Sequence, residues 1–109
     1  MNVWTYICHY EGELAPSVHM TELGCVITAI ADVMEYHGVD SYDDEEFQEW
    51  KKDRNMSDNN VDGPGLVRDL DAISRLDRRQ LWQVWEAWSE STWDCFDYSV
   101  GIDEARIQT

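Results

Sequence analysis

The chain is 109 residues long, which suits one domain with a sizeable core and leaves little room for two. Aspartate and glutamate total 23 while lysine and arginine total 8, so the formal net charge is -15. Such a charge repels nucleic acid and anionic membranes and attracts basic surfaces. An apolar fraction of 43% that includes 6 tryptophans argues against a simple disordered chain.

The cysteines and the hydropathy of the chain bear on its compartment. Cys8, Cys25 and Cys95 form no C-x-x-C pair, and an odd, unpatterned set indicates reduced thiols. Residues 1–13 carry neither a basic leader nor a long apolar run, and no stretch approaches the roughly 20 apolar residues of a membrane span. We therefore expect a cytoplasmic protein, either of its own cell or of a host cell.

The first part of the chain predicts a strand, a loop and a long helix. Residues 3–10 are rich in β-branched and aromatic side chains, which favour a strand, and residues 11–17 contain a glycine and a proline, which are typical of a loop. Residues 21–38 carry apolar side chains at helical spacing. Thr21 is the expected N-cap, and Gly38 is the residue expected to end this helix.

A second helix, a long loop and a third helix are expected next. Over residues 41–54, Phe47 and Trp50 lie three positions apart and predict the inner face, while acidic residues fill the first turns, where the helix dipole favours them. Residues 55–65 form the main loop. Pro64 suits the first position of the third helix. The apolar stripe of that helix comprises Leu66, Val67, Leu70 and Ile73.

The last third of the chain predicts a fourth helix and a final strand. Asp77 and Gln80 have the spacing of a capping box. Trp82 lies off the apolar stripe of the following helix and is expected at the surface. The stripe itself comprises Leu81, Val84, Trp85 and Trp88. Residues 92–100 read as a strand that pairs with the first one. We expect a helix-dominated α+β single domain over residues 1–109, with about four helices packed on one face of a small antiparallel sheet from the terminal strands.

One local pattern resembles an enzyme family. Cys25 follows a glycine at the start of the first predicted helix, where the dipole lowers the pKa of a thiol. Residues 23–50, in which this Gly-Cys opens the helix and Tyr36 and Gly38 close it, resemble the nucleophile-helix segment of papain-like cysteine peptidases of the bacteriocin-transporter type. The resemblance implies that Cys25 is a nucleophile served by a histidine in a β-rich second half.

The residues that such a peptidase needs are missing from the expected places. No histidine follows position 38, and His37 closes the helix that Cys25 opens, about 18 Å away along its axis. No glutamine precedes Cys25 to donate to an oxyanion. We therefore expect a buried structural cysteine and a protein that is not an enzyme. A thiol hydrolase that uses Cys25 remains the enzyme-class alternative.

A metal site is a weaker hypothesis. The candidate ligands Cys8, His9, His19 and Cys25 have zinc-binding side chains, but their spacing fits no usual zinc finger. Cys8 and His9 also point to opposite faces of a predicted strand. Residues 58–63 match a calcium-binding loop only faintly. We expect neither a metal nor another cofactor.

The acidic residues are the main candidate site. Within residues 40–49, 6 of the 10 residues are acidic and none is basic. Carboxylates accept an arginine in the bidentate manner of phosphates, and acids three or four positions apart on a helix lie about 5–6 Å from one another. An exposed tryptophan beside them would suit a binding hot spot. The predicted partner-binding residues are Asp40, Asp43, Asp44, Glu46, Glu49, Asp53 and Trp82.

In size and charge the chain resembles the DNA-mimic proteins of phages, among them anti-restriction and anti-CRISPR inhibitors. This likeness of character, which includes no shared motif, implies a non-catalytic inhibitor that binds a basic DNA- or RNA-binding protein and contacts neither nucleic acid nor membrane itself. A homodimer is left open. The binding-class alternatives are an immunity protein or antitoxin against a basic nuclease and a phage virion component. Acidity as an adaptation to salt, or for solubility alone, would need no partner.

Overall fold

The computed structural model describes residues 2–53, 64–92, 95 and 98–106. These ranges contain a three-stranded sheet with helices on one face, so the predicted α+β fold is confirmed. In chain order the elements are β1 (Asn2–Tyr10), β2 (Glu13–His19), α1 (Glu22–His37), a 3-10 turn (Val39–Ser41), α2 (Asp44–Asp53), α3 (Leu70–Ile73), α4 (Arg78–Glu90) and β3 (Tyr98–Arg106).

The sheet is built around β1, which pairs antiparallel with β2 on one side and with β3 on the other. The predicted pairing of the terminal strands is therefore confirmed, with Tyr98 opposite Tyr10. The predicted bounds of the last strand, residues 92–100, are wrong. Residues 101–106 include a glycine and three charged side chains, whose strand propensity is low, and pairing with the central strand overrides that preference.

β1 and β2 form a hairpin that the sequence did not reveal. Residues 11–17, predicted as a loop, belong mostly to β2, and the turn consists of Glu11 and Gly12 with φ angles of 51° and 82°. Two turn residues with positive φ are the mark of a type I′ turn, whose twist matches that of the strands. The prediction was wrong because Glu-Gly lacks the usual Asn-Gly signature, and because Pro16 is tolerated on an edge strand.

The ends of α1 and α4 follow from local capping, as predicted. Thr21 Oγ1 accepts a hydrogen bond from the Gly24 amide at 3.0 Å. Gly38 ends α1 in the left-handed conformation, with φ of 72°. Asp77 and Gln80 form the capping box of α4.

The third helix is shorter than predicted and begins later. It starts at Leu70 rather than Pro64, because Asp69 caps it with its side chain. The residues before it are irregular, and the Val67 carbonyl there accepts a hydrogen bond from the Trp88 indole at 2.8 Å. This contact ties the irregular segment to α4. Residues 54–63, which hold most of the predicted long loop, lie outside the described residues.

The core lies between the sheet and the helices. Tyr6 of β1 is buried against it, and Trp4 and Cys8 pack along its edge, so the even-numbered side chains of β1 face the helices. Phe47 and Trp50 form the predicted inner face of α2 and stack on Trp88, at 6.1 and 5.9 Å between ring centroids. The predicted stripe of α4 is buried as well, and α1 buries Val26, Ile30, Val33 and Met34. No helix in the described ranges is both long and apolar enough to cross a bilayer.

Candidate functional site

The start of α2 is fixed by a capping box built from two of the predicted partner-binding residues. Asp43 Oδ1 accepts a hydrogen bond from the Glu46 amide at 2.9 Å, and Glu46 Oε2 accepts one from the Asp43 amide at 2.9 Å. This reciprocal pairing satisfies two amides that a helix N-terminus otherwise leaves free. Both residues are exposed, so their carboxylates serve the helix and remain within reach of a partner.

Asp44 pairs with Arg68, a residue that sequence reasoning did not single out. The Arg68 Nη2 atom donates to Asp44 Oδ1 at 2.8 Å, while Nη1 donates to the carbonyls of Val39, at 2.9 Å, and of Tyr42. The guanidinium also lies over the Phe47 ring, 4.7 Å from its centroid. Nothing in the sequence pairs residue 68 with residues 39–47, since only the tertiary fold brings them together.

Four further acids on this side of the molecule are solvent-exposed. Within the described ranges, the ion pairs of acidic side chains involve Asp44 and Glu22. The other acidic side chains of α2 and the 3-10 turn therefore form no ion pair with the described part of the chain. Lys51, although it belongs to α2, is 7% exposed and lies over the Phe47 ring. The exposed acids are Asp40, Glu45, Glu49 and Asp53.

A groove of about 770 Å³ runs between α2 and the segment that leads into α3. Two carboxylates come from its α2 side, Asp40 and Asp44, and two from the opposite side, Asp69 and Asp71. Apolar and aromatic side chains line the space between them. We call this space the α2 groove; its apolar lining includes Met34, Tyr42, Phe47, Leu66 and Val67. The lining also includes two cations of the chain itself, Lys51 and Arg68, which offset part of the charge of the four carboxylates.

Trp82 is not the surface residue that the sequence predicted. It is half-buried and packs against the core, and its indole Nε1 is buried without a hydrogen-bond partner among the described residues. The prediction was wrong because a helix between a sheet and neighbouring helices buries a stripe wider than one row of side chains. Trp82 is also absent from the lining of the α2 groove.

Cys25 lies in the first turn of α1, as the sequence predicts, but its side chain is 0% exposed. Burial raises the pKa of the thiol to about 11, so the thiolate is scarce at neutral pH. A buried, protonated thiol is a poor nucleophile. The described residues hold no group of three or more histidine, cysteine, aspartate and glutamate side chains arranged for a metal ion. Among the candidate ligands, His19 instead bonds to Ser17 Oγ at 2.9 Å.

A second polar cluster lies under the helices, away from the α2 groove. The Tyr6 hydroxyl donates to Asp32 Oδ2 at 2.6 Å, and burial together with this carboxylate raises the pKa of Tyr6 well above its usual range. Tyr98, whose pKa is also raised by burial, stacks on Tyr36 at 3.7 Å between centroids. The Tyr98 hydroxyl is buried without a hydrogen-bond partner among the described residues. These features hold β1, β3 and α1 together.

Comparisons with known proteins add no relative: no protein-family model matches the chain, and neither a curated protein nor a solved structure is significantly similar to it.

Proposed function

We propose that this protein is a non-catalytic binding protein that presents the α2 side of the domain to a cationic surface of a partner, and that the partner is a basic nucleic-acid-binding protein. The observation that carries this proposal is the set of exposed carboxylates at Asp40, Glu45, Glu49 and Asp53, which have no cation from the described residues. Carboxylates left in this state repel one another, and an external cationic surface relieves that repulsion.

The chain's own Arg68 supports the choice of arginine as the recognised group. Its guanidinium is held by one carboxylate, two backbone carbonyls and an aromatic ring, all beside the α2 groove. An arginine that normally binds phosphate needs this kind of acceptor, because carboxylates and phosphates take the same bidentate geometry. The exposed acids on the α2 side therefore offer a partner's arginines a substitute for a phosphate backbone.

The structure divides the predicted contact residues into two groups. Asp43 and Glu46 cap α2, and Asp44 is paired with Arg68, so their carboxylates already have partners within the chain. Asp40, Glu49 and Asp53 are exposed and form no ion pair with the described part of the chain, and we expect them to carry more of the contact. Glu45, which is not among the residues predicted from the sequence, joins them for the same reason.

The test uses charge-removing variants that keep side-chain size. The triple variant D40N/E45Q/E49Q removes three unpaired carboxylates from the α2 side. Its control, E86Q/E90Q/D103N, removes three exposed carboxylates from α4 and β3, so both variants have the same net charge. A partner captured from lysate at low salt and identified by mass spectrometry is then purified for kinetic measurements.

We expect the α2 variant to associate several-fold more slowly than the control, because exposed interface charges act mainly on the on-rate. A single change should do little, since one rim pair contributes about 0–1 kcal/mol. The wild-type on-rate should fall steeply with salt, and DNA or RNA should compete for the partner. Equal on-rates for the two triple variants, or simultaneous binding of nucleic acid and this protein, would refute the proposal.

A further inference from the structure

Two exposed tyrosines form an aromatic surface where the sheet ends in the hairpin turn. Tyr10 is the last residue of β1 and is 46% exposed, and Tyr36 lies in the last turn of α1 and is 38% exposed. Their ring centroids are 5.6 Å apart, and the rings are inclined at 77° to each other. The buried Tyr98 stacks on Tyr36 and contacts Tyr10 at 6.0 Å, so it holds both rings in place. We call Tyr10 and Tyr36 the tyrosine corner.

Carboxylates flank the tyrosine corner on both elements that form it. Glu13 lies opposite Tyr10 in the β1–β2 pairing, so the two side chains leave the same face of the sheet, with Cβ atoms about 4.5–5.5 Å apart. Glu35 precedes Tyr36 on α1. Both acids are exposed, and neither forms an ion pair with the described part of the chain. The corner therefore presents aromatic rings and negative charge together.

The chain itself shows which side chain such a combination binds. Arg68 places its guanidinium over the Phe47 ring, 4.7 Å from the centroid, while it donates to Asp44 Oδ1. Tyr10 and Glu13 are a second pair of one ring and one carboxylate, and no lysine or arginine among the described residues lies over the Tyr10 ring. A planar guanidinium can stack on a ring and donate to a carboxylate at the same time, whereas the ammonium of lysine is a compact, strongly hydrated point charge.

We propose that the tyrosine corner binds an arginine side chain of the cationic partner and is the aromatic anchor of the interface on the α2 side, an inference that rests on the proposed function. Ring contacts connect the corner to α2, since His37 lies 5.1 Å from Tyr36 and 5.0 Å from Trp50. Trp50 is next to Glu49, one of the exposed acids of α2. Aromatic side chains are typical binding hot spots, and the sequence predicted this one at Trp82, which is half-buried.

An aromatic anchor and a set of exposed charges affect different rate constants. Removing exposed charges mainly slows association, whereas removing a side chain that packs in the interface mainly speeds dissociation. Loss of the Tyr10 ring should therefore raise the off-rate of the partner and leave its on-rate nearly unchanged. The variant D40N/E45Q/E49Q should do the opposite, so the two parts of the interface can be told apart.

The first experiment needs no partner protein. The probe is a tripeptide amide with one arginine between two glycines, and its control is the same peptide with lysine in place of arginine. The tyrosine rings are labelled with carbon-13, and the signals of Tyr10 and Tyr36 are assigned from their absence in Y10F and Y36F. At moderate salt the arginine peptide should shift both signals of the wild type and bind more tightly than the lysine peptide.

Four variants separate the ring, the charge and the fold. Y10T removes the ring but keeps a β-branched residue that suits a strand, and it should bind the arginine peptide about two- to fivefold more weakly, measured at the Tyr36 signal. E13Q should also bind more weakly, because it removes the carboxylate. Y10F keeps the ring and should bind as the wild type does. So should V18T, which replaces an exposed residue opposite Thr5, on the other face of the hairpin. Circular dichroism checks that each variant folds.

Three results of the titration would overturn the proposal: unshifted Tyr10 and Tyr36 signals in the wild type, equal binding of the two peptides, or equal binding by Y10T and Y10F. With the purified partner, Y10T should raise the off-rate about two- to fivefold, and an unchanged off-rate would also overturn it. Failure of the proposed function has a different signature, because a partner that binds no nucleic acid, or equal on-rates for D40N/E45Q/E49Q and its control, leaves the peptide titration unchanged.

Discussion

The capping box of α2 allows the structural and the binding roles of its acids to be separated. Asp43 accepts the Glu46 amide through Oδ1 at 2.9 Å, and an asparagine at position 43 retains an equivalent oxygen. An alanine there removes it. We therefore expect D43N to be nearly as stable as the wild type. D43A should be less stable than D43N, although both variants remove the same charge.

The size of the loss follows from the geometry of the helix start. Replacing an N-cap aspartate by alanine costs about 0.5–2 kcal/mol, and typically about 1 kcal/mol. In D43A the Glu46 amide loses its acceptor, whereas the Glu46 carboxylate keeps the backbone amide of residue 43. For a domain of this size, 1 kcal/mol lowers the melting temperature by about 4–6 °C. D43N loses only the charge–dipole interaction, which is about 0.3–1 kcal/mol and is partly offset by weaker repulsion from neighbouring acids.

Thermal and urea unfolding followed by circular dichroism measure both variants at moderate salt. Phe47 and Trp50 of α2 are buried, so fraying of its first turn should also loosen their packing and change the near-ultraviolet signal in D43A. Equal melting temperatures for D43A, D43N and the wild type would refute a stabilising role for the box. A loss in D43N as large as that in D43A would mean that charge, and not the hydrogen bond, stabilises the helix start.

Three further predictions concern the stability of the whole domain. Melting temperature should rise from low to moderate NaCl, because crowded carboxylates repel within the screening length of about 8 Å at 0.15 M salt, and a flat curve would contradict this explanation. The folded state holds the Cys25 proton up to a pKa of about 11. The contribution of this bound proton to the free energy of unfolding is therefore complete below the unfolded thiol pKa of about 8.5, and it is lost as pH rises toward 11. In C25A the urea midpoint should fall less steeply with pH between those values. The same slope in C25A and the wild type would contradict a role for the Cys25 proton. Finally, E11N creates an Asn-Gly turn where φ is already positive, so it should stabilise the hairpin by about 0.5–1 kcal/mol in urea unfolding, with E13N as the control outside the turn.

The acidic character of the α2 side was readable from the sequence, but the role of each acid was not. Asp43 and Glu46 have the spacing of a capping box, but they were predicted only as acids that favour the helix dipole and as partner contacts, and not as caps. Arg68 lies 24 positions from Asp44, so its ion pair depends on the chain returning to α2. The exposed and unpaired acids could be told from the others only once these contacts were known.

The sequence by itself determined the elements that depend on near neighbours. A cap such as Thr21 acts within one turn, and the apolar spacing of α1, α2 and α4 repeats with the helical period. Both features can therefore be predicted from residues that are close in the sequence. The same holds for the charge of the chain, which no fold can alter. Tertiary structure alone decided the extent of β3, because that strand draws its stability from β1, which is distant in the sequence. Residues 13–17 became a strand by pairing with the neighbouring β1 in a hairpin whose Glu-Gly turn the sequence did not reveal. It also decided that Trp82 is half-buried, since burial depends on what packs against a side chain.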